Sequence, residues 1–198
     1  ILSHGQGAFD GDNLDLDWLD GVHDFNIPSA LTAGGKSLRF DGVDDYIDVG
    51  SGASLEIPTC TITAWVKRTE IGTRHLIVVD SATSSASKDH HVFFEIIASN
   101  VLALAFGDGV TIGDVQGTST ITDTDWHHVA VTRNDSTEKV QFFIDGVADA
   151  EVSYANPLGA LTPLGSNNLW IGKTDISGFE IPFNGLMDEV RIYNDVLT

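Results

Sequence analysis

From residue 38 onward the chain is written in short apolar runs divided by polar turns. The runs are SLRF, DYIDV, CTITAWVKR, HLIVVD, HVFFEIIA, VLALAFG, HHVAVTR, VQFFIDG, LWIGK and MDEVRIY. They are rich in β-branched and aromatic residues, and many alternate apolar with polar, the period of a strand with one buried face. DGVD, SGAS, SATSSASKD, GDG and NDSTEK stand between them. Their Gly, Asn, Asp and Ser residues bond locally or tolerate turn backbone. Strands at about ten-residue spacing, with no helical period between them, predict an all-β sandwich or barrel. VFFEII and VLALAF are apolar on both faces, which predicts central strands covered on both sides.

The run DTDWHHVAVTR, residues 123 to 133, sets His127 beside His128. On an extended chain neighbouring side chains point to opposite faces, so one Zn²⁺ is not gripped by both. With the NDSTEK turn and VQFFIDGV after it, the run predicts a hairpin. Two stretches leave the strand pattern. Residues 10 to 26 carry six aspartates, and residues 153 to 168 form a long loop with Pro157 and Pro163. No repeat or boundary appears, so residues 1–198 are expected to form one domain, with the Asp-rich segment 1–35 packed on it.

Hydrophobic residues make up 42% of the 198, enough for a real core. Charge changes the picture more. Twenty-nine acidic residues against ten basic ones leave −19, a surface that repels nucleic acid and anionic membranes. Ca²⁺ is the natural counter-ion for clustered carboxylates, although a saline habitat would produce the same excess. Cys60 is the single cysteine, so no internal disulfide forms. No run of about 18 apolar residues is present, which excludes an inserted helix. The chain opens at Ile1 with no leader pattern, and we expect a piece of something larger.

AGGKS lacks the first glycine of a phosphate loop and runs into a strand. DGDNLDLDWLDG fails the EF-hand spacing, because Leu14 or Leu19 falls where an acid is required. No Gly-x-Ser-x-Gly elbow or His-Glu-x-x-His pair occurs. Asp188 and Glu189 are adjacent on a strand and face oppositely. Glu95 shares a strand face with Phe93 and Ile97, so it needs either a partner or an open sheet face.

For a ligand, the polar loops 68–75, 80–91 and 107–117 stand out. The second offers Asp80, Asp89, His90 and His91 in one turn region, and the long later loop adds the amides of Asn167 and Asn168. Planar carboxylates and amides suit adjacent sugar hydroxyls.

Three segments together carry a family likeness. SLRFDGVDDYIDVG, then TITAWVKR with WHHVAVTR and VQFFIDGV, and finally FNGLMDEVRIYNDVLT resemble the laminin-G-like, concanavalin A-like jelly-roll superfamily over about residues 36 to 198. The resemblance implies an antiparallel jelly-roll β-sandwich with adjacent terminal strands. It also implies a Ca²⁺ held by Asp188 of the last strand, by Asp41 or Gly42 at the FDG turn, and by Asp20 or Asp24 of the entry segment. Modules of this kind are appended to secreted or cell-surface proteins. The leading reading is a non-catalytic extracellular carbohydrate-binding, lectin-like adhesion module with structural calcium, whose partner is a glycan or polysaccharide. The alternatives are a protein-adhesion or spacer domain meeting a cell-surface protein, and a polysaccharide hydrolase or lyase. The strand signatures of the catalytic jelly-rolls, Glu-x-Asp-x-x-Glu and Arg-Glu-x-Arg, are absent.

Overall fold

The structure, a computed structural model, describes residues 37–50, 58–80, 92–107, 112–154, 168–174 and 180–197. Twelve strands run through them. They are β1 (Leu38–Asp41), β2 (Ile47–Gly50), β3 (Cys60–Arg68), β4 (His75–Asp80), β5 (Phe93–Ile96), β6 (Val101–Gly107), β7 (Ile112–Thr120), β8 (His127–Asn134), β9 (Lys139–Ile144), β10 (Val147–Ser153), β11 (Leu169–Ile171) and β12 (Asn184–Tyr193). Two six-stranded sheets result, β1-β12-β3-β8-β9-β10 and β2-β11-β4-β5-β6-β7, with every printed pairing antiparallel. The fold is the expected jelly-roll sandwich. We call the first sheet the terminal sheet, because it holds both β1 and β12, and the second the inner-chain sheet.

Alternation puts one face of each strand into the layer between the sheets. Ile62, Ala64 and Val66 of β3 and Val129 and Val131 of β8 meet Phe94, Ile96, Leu102, Leu104 and Phe106 there. Residues one step out of phase on the inner-chain sheet form a second apolar cluster on its outer face: Leu76, Val79, Phe93 and Ile181, with Trp170 packed against them. That is why VFFEII reads as apolar on both sides. Arg133 lies in the core face with 1% exposure, its guanidinium 4.1 Å above the Phe106 ring and bonded to Asp135.

Segment 107–117, expected as a loop, is a correction. Residues 112 to 120 are β7, paired along β6. β7 and β10 are the last strands of the two sheets, and Asp149 of β10 joins them. Its carboxylate accepts from the Thr118 amide (2.6 Å), the Thr118 hydroxyl (2.5 Å) and the Ser119 amide (2.9 Å). Burial is the largest single influence and opposes the charge, but these donors together with the Ala150 amide outweigh it and hold its carboxyl well below the usual range. The clasp closes the open edge of the sandwich, where unpaired strand edges would otherwise face solvent.

The β8–β9 hairpin forms as expected. His127 sits between Asp123 (Nε2 to Oδ1, 2.9 Å) and Asp145 (Nδ1 to Oδ2, 2.8 Å). Burial opposes its charge, but the two carboxylates prevail and raise its pKa. A raised histidine stabilises fully below the ordinary imidazole pKa, and the contribution fades as pH climbs through the folded value. Replacing His127 with Gln should therefore cost under ~1 kcal/mol. The loss should be larger near about pH 5 than near about pH 9. Melts of both proteins at the two pH values check this; an equal difference at both contradicts the brace.

Candidate functional site

The turn between β1 and β2 is built by its aspartates. The Val43 amide donates to Asp41 Oδ1 (2.7 Å), closing an Asx turn, and the Asp41 amide donates to Asp45 Oδ2 (2.8 Å). Gly42 takes φ +81°, and a Cβ there would lie 2.7 Å from Asn184 Cβ. Glycine therefore lets the turn close down on Asn184. The result draws Asp41, Asp44 and Asp45 together, one carboxylate oxygen of each within 4.8 Å of the others. Asp45 is 2% exposed, whereas Asp41 is open to solvent. Such crowding of like charge is unfavourable unless a cation shares it.

Beside the triad lies a recess of about 310 Å³ lined by Arg39, Asp41, Thr69 and Asn184, with Gly185 and Leu186. It exists because β1 pairs β12 in the register Arg39↔Leu186 and Asp41↔Asn184. Two further bonds hold Asn184. Its carbonyl accepts from the Thr69 amide (3.1 Å), and its own amide donates to His75 Nδ1 (3.3 Å). His75 Nε2 in turn meets the Thr73 hydroxyl (2.9 Å). Burial, reinforced by Arg68, lowers the His75 pKa to about 4, so the ring is neutral and Nδ1 is free to accept. The recess thus presents a guanidinium, a carboxylate, an amide and a hydroxyl on fixed backbone.

The residues expected from sequence are distributed differently. Asp41 and Gly42 are in the turn, joined by Asp44 and Asp45. Asp188 is not with them. The register sets Met187 against Leu38, so Asp188 lies one step beyond, about 13 Å along the strand from Asn184 and Asp41. One ion does not span that gap. Asp80 is wholly buried at the end of β4. The Val92 amide donates to its Oδ1 (3.3 Å) and its own amide donates to the Val92 carbonyl (3.1 Å), so it closes the mouth of the β4–β5 hairpin. Asn168 is half-buried and donates to Asp48 Oδ2 (2.8 Å), tying β11 to β2. Asp20, Asp24, Asp89, His90, His91 and Asn167 lie outside the described residues. Glu95, 5% exposed on the outer face of the inner-chain sheet, has its partner: Arg74 takes both carboxylate oxygens, Nε to Oε2 at 2.8 Å and Nη2 to Oε1.

Sequence reasoning missed Arg39, Thr69 and Asn184, since only long-range register unites them. The second half of FDGVDD was the available signal for Asp44 and Asp45.

An antiparallel jelly-roll with acidic turns at its rim defines a class, and the comparisons agree with it. The family model of the concanavalin A-like lectin/glucanases superfamily matches residues 41–198, and the chain belongs to that family. No curated protein matches it. Among solved structures it is similar to the Ruminococcus gnavus IT-sialidase CBM40 bound to α2,3 sialyllactose, with 18% identity, 80% of this chain and 91% of that one covered, and a TM-score of 0.61. It is similar to the heptameric SAP-like pentraxin of Limulus polyphemus, with 12% identity, 82% and 77% covered, and a TM-score of 0.58. Domain 4 of AbnA, an extracellular arabinanase of Geobacillus stearothermophilus in complex with arabinotriose, shares 20% identity over 84% and 74% of the two chains, with a TM-score of 0.58. Identities this low speak for the fold alone.

Proposed function

We propose that this chain is a non-catalytic, extracellular carbohydrate-binding module of a larger protein, and that it binds its glycan at the recess between β1 and β12 beside a Ca²⁺. The observation that carries this reading is the recess itself. Arg39, Asp41, Thr69 and Asn184 present planar and hydroxyl groups suited to vicinal sugar hydroxyls. The neighbours in fold that were crystallised with sialyllactose and arabinotriose support the ligand class. Glu95, the acid set among apolar strand residues, is engaged by Arg74 on both oxygens, which favours binding over hydrolysis.

The donor set of the turn fits a hard divalent cation: three carboxylates, no sulfur or imidazole, converging within 4.8 Å. Asp41, Asp44 and Asp45 would hold the ion. Its role there would be to neutralise the triad and fix the turn that floors the recess. The test is a titration of arabinotriose and of sialyllactose into the chain, with and without Ca²⁺. Thr69→Ala combined with Asn184→Ala should weaken binding at least about tenfold, the loss of one to two good hydrogen bonds. Undiminished affinity would remove the recess from the function.

Calcium makes a separate expectation. An ion bound only by the folded state stabilises it by ~2 to 4 kcal/mol at 100 to 1,000 times its dissociation constant. Chelation should lower the melting temperature by several degrees, in salt high enough to screen the −19 charge. In Asp45→Asn the chelator should do much less. Equal melts of the unaltered chain with and without EDTA would contradict the site.

A further inference from the structure

A second concave feature lies away from the turn, on the outer face of the terminal sheet. Thr63 and Trp65 of β3, His128 of β8, and Glu189 and Arg191 of β12 line a recess of about 160 Å³. Its making is visible in the register. Trp65 faces His128 on one side and Asp188 on the other. The Trp65 and His128 rings meet edge to face at 5.4 Å. Between Asp188 and Arg191 the register shifts, with one residue more on β12 than on β3. Glu189 is the inserted residue, at φ +51°.

Two details are costly and unexplained by folding. A non-glycine residue in left-handed backbone is strained by about 1–2 kcal/mol, and such bulges recur where a side chain must be re-aimed. Here the bulge turns Glu189 into the recess, where it pairs with Arg191. Next to it, Asp188 Oδ1 accepts the Glu189 amide (2.7 Å), while Asp188 Oδ2 is buried and no donor reaches it among the described residues. A buried carboxylate oxygen without a donor is a standing cost that the bulge carries beside the recess.

We propose that this recess is a second sugar-binding site, taking one ring of a neutral saccharide against Trp65. The half-buried indole supplies an apolar platform for the C–H face of a sugar ring. Glu189, Arg191 and His128 supply acceptors and donors around its rim. Two acids, Glu189 and the adjacent Asp188, against one arginine, on a chain of net charge −19, disfavour an acidic sugar. The site shares a ligand class with the edge recess and no residue with it, so either can fail alone. Both together make the module bivalent, with avidity toward a polymer beyond either single affinity.

The test uses the full chain with arabinotriose, lactose and sialyllactose as probes, observed by ¹H–¹⁵N NMR. Trp65→Phe assigns the Trp65 indole N–H among the four tryptophans. Arabinotriose or lactose should move that signal in a saturable way, and sialyllactose should not. Glu189→Gly separates function from folding, because glycine accepts the left-handed backbone while removing the carboxylate. It should melt no lower than the unaltered chain, yet bind the neutral probe about tenfold more weakly, the worth of one charge-assisted hydrogen bond. An indole signal that stays still with both neutral sugars overturns the proposal. So does one that moves with sialyllactose alone, or unchanged affinity in Glu189→Gly. Movement of the Asn184 side-chain amide with a still Trp65 indole keeps the edge recess and sinks this one. The reverse keeps this recess and sinks the other.

Discussion

Replacing Gly185 with Ala should cost about 4 kcal/mol, adding the strain of disallowed backbone to overpacking. The residue sits at φ +146°, and a Cβ built on it lies 2.0 Å from the Lys67 carbonyl oxygen and 3.0 Å from Arg68 Cα. These contacts are backbone, so no side chain can swing aside. Gly185 pairs with Arg68, whose guanidinium bonds Asn100 Oδ1 (3.0 Å) and the Ile121 carbonyl (2.8 Å) inside the fold. Pushing β3 away from β12 would disturb those bonds and the recess floor together. The melting temperature should fall by roughly 10 °C, at about 2–4 °C per kcal/mol for a chain of this size. Gly50→Ala is the comparison. It has φ +86° with nothing within 4 Å of the added carbon, so it bears only the backbone cost, roughly 1–2 kcal/mol. If denaturant unfolding gives the two variants equal losses, steric exclusion at Gly185 is not the cause.

Arg74→Ala should be nearly as damaging, and it should be so in a pH-dependent way. Glu95 is 5% exposed, and Arg74 is its fork-shaped partner. Removing one member of a buried pair leaves the other charge uncompensated, at about 3–5 kcal/mol. The Arg74 side chain is itself 36% exposed, so the lower figure applies. Burial already raises the Glu95 pKa, with Arg74 pulling it back down. Without Arg74 the rise is larger. The folded state then holds its proton above the pH at which the unfolded chain releases it. Stability is accordingly greatest below the ordinary carboxylate pKa and falls as pH rises through the folded value. Arg74→Ala should therefore recover toward the unaltered chain on acidification. Adding Glu95→Gln should restore much of the loss at neutral pH. A deficit that is flat from acid to neutral pH would show that the salt bridge is not what Arg74 contributes.

The sequence disclosed the strands that carry apolar residues on one face or both and hid those that are mostly polar. Cys60–Arg68 and His127–Asn134 carry one apolar face each and are found where the pattern puts them. β7 and β10 are edge strands with polar residues on both sides, IGDVQGTST and VADAEVS, so hydrophobic periodicity has nothing to report. Their strand state comes from pairing with β6 and β9 and from Asp149, all tertiary. The sites divide in the same way. Asp41 and Gly42 were named only through the family resemblance, which marks the FDG turn; the Asx turn that Asp41 closes is visible in the structure. Asn184 meets them across more than 140 positions of chain, a spacing with no sequence mark. Asp80 looked like a loop acid because burial at a strand end depends on Leu169 and Val92 arriving beside it.

The place of β12 has a consequence for how the molecule is made. It is the last strand in sequence, yet it runs between β1 and β3, bonded to both. During synthesis β1 and β3 emerge early and do not pair with each other; the slot between them waits for β12. The terminal sheet therefore cannot be completed on the ribosome until β12 has emerged, and folding is set by closing the long loop between β1 and β12, a slow topology. A chain shortened by its final strand would present two unpaired edges facing the same gap, an invitation to β12 of another copy. Quality control of this module thus depends on β12.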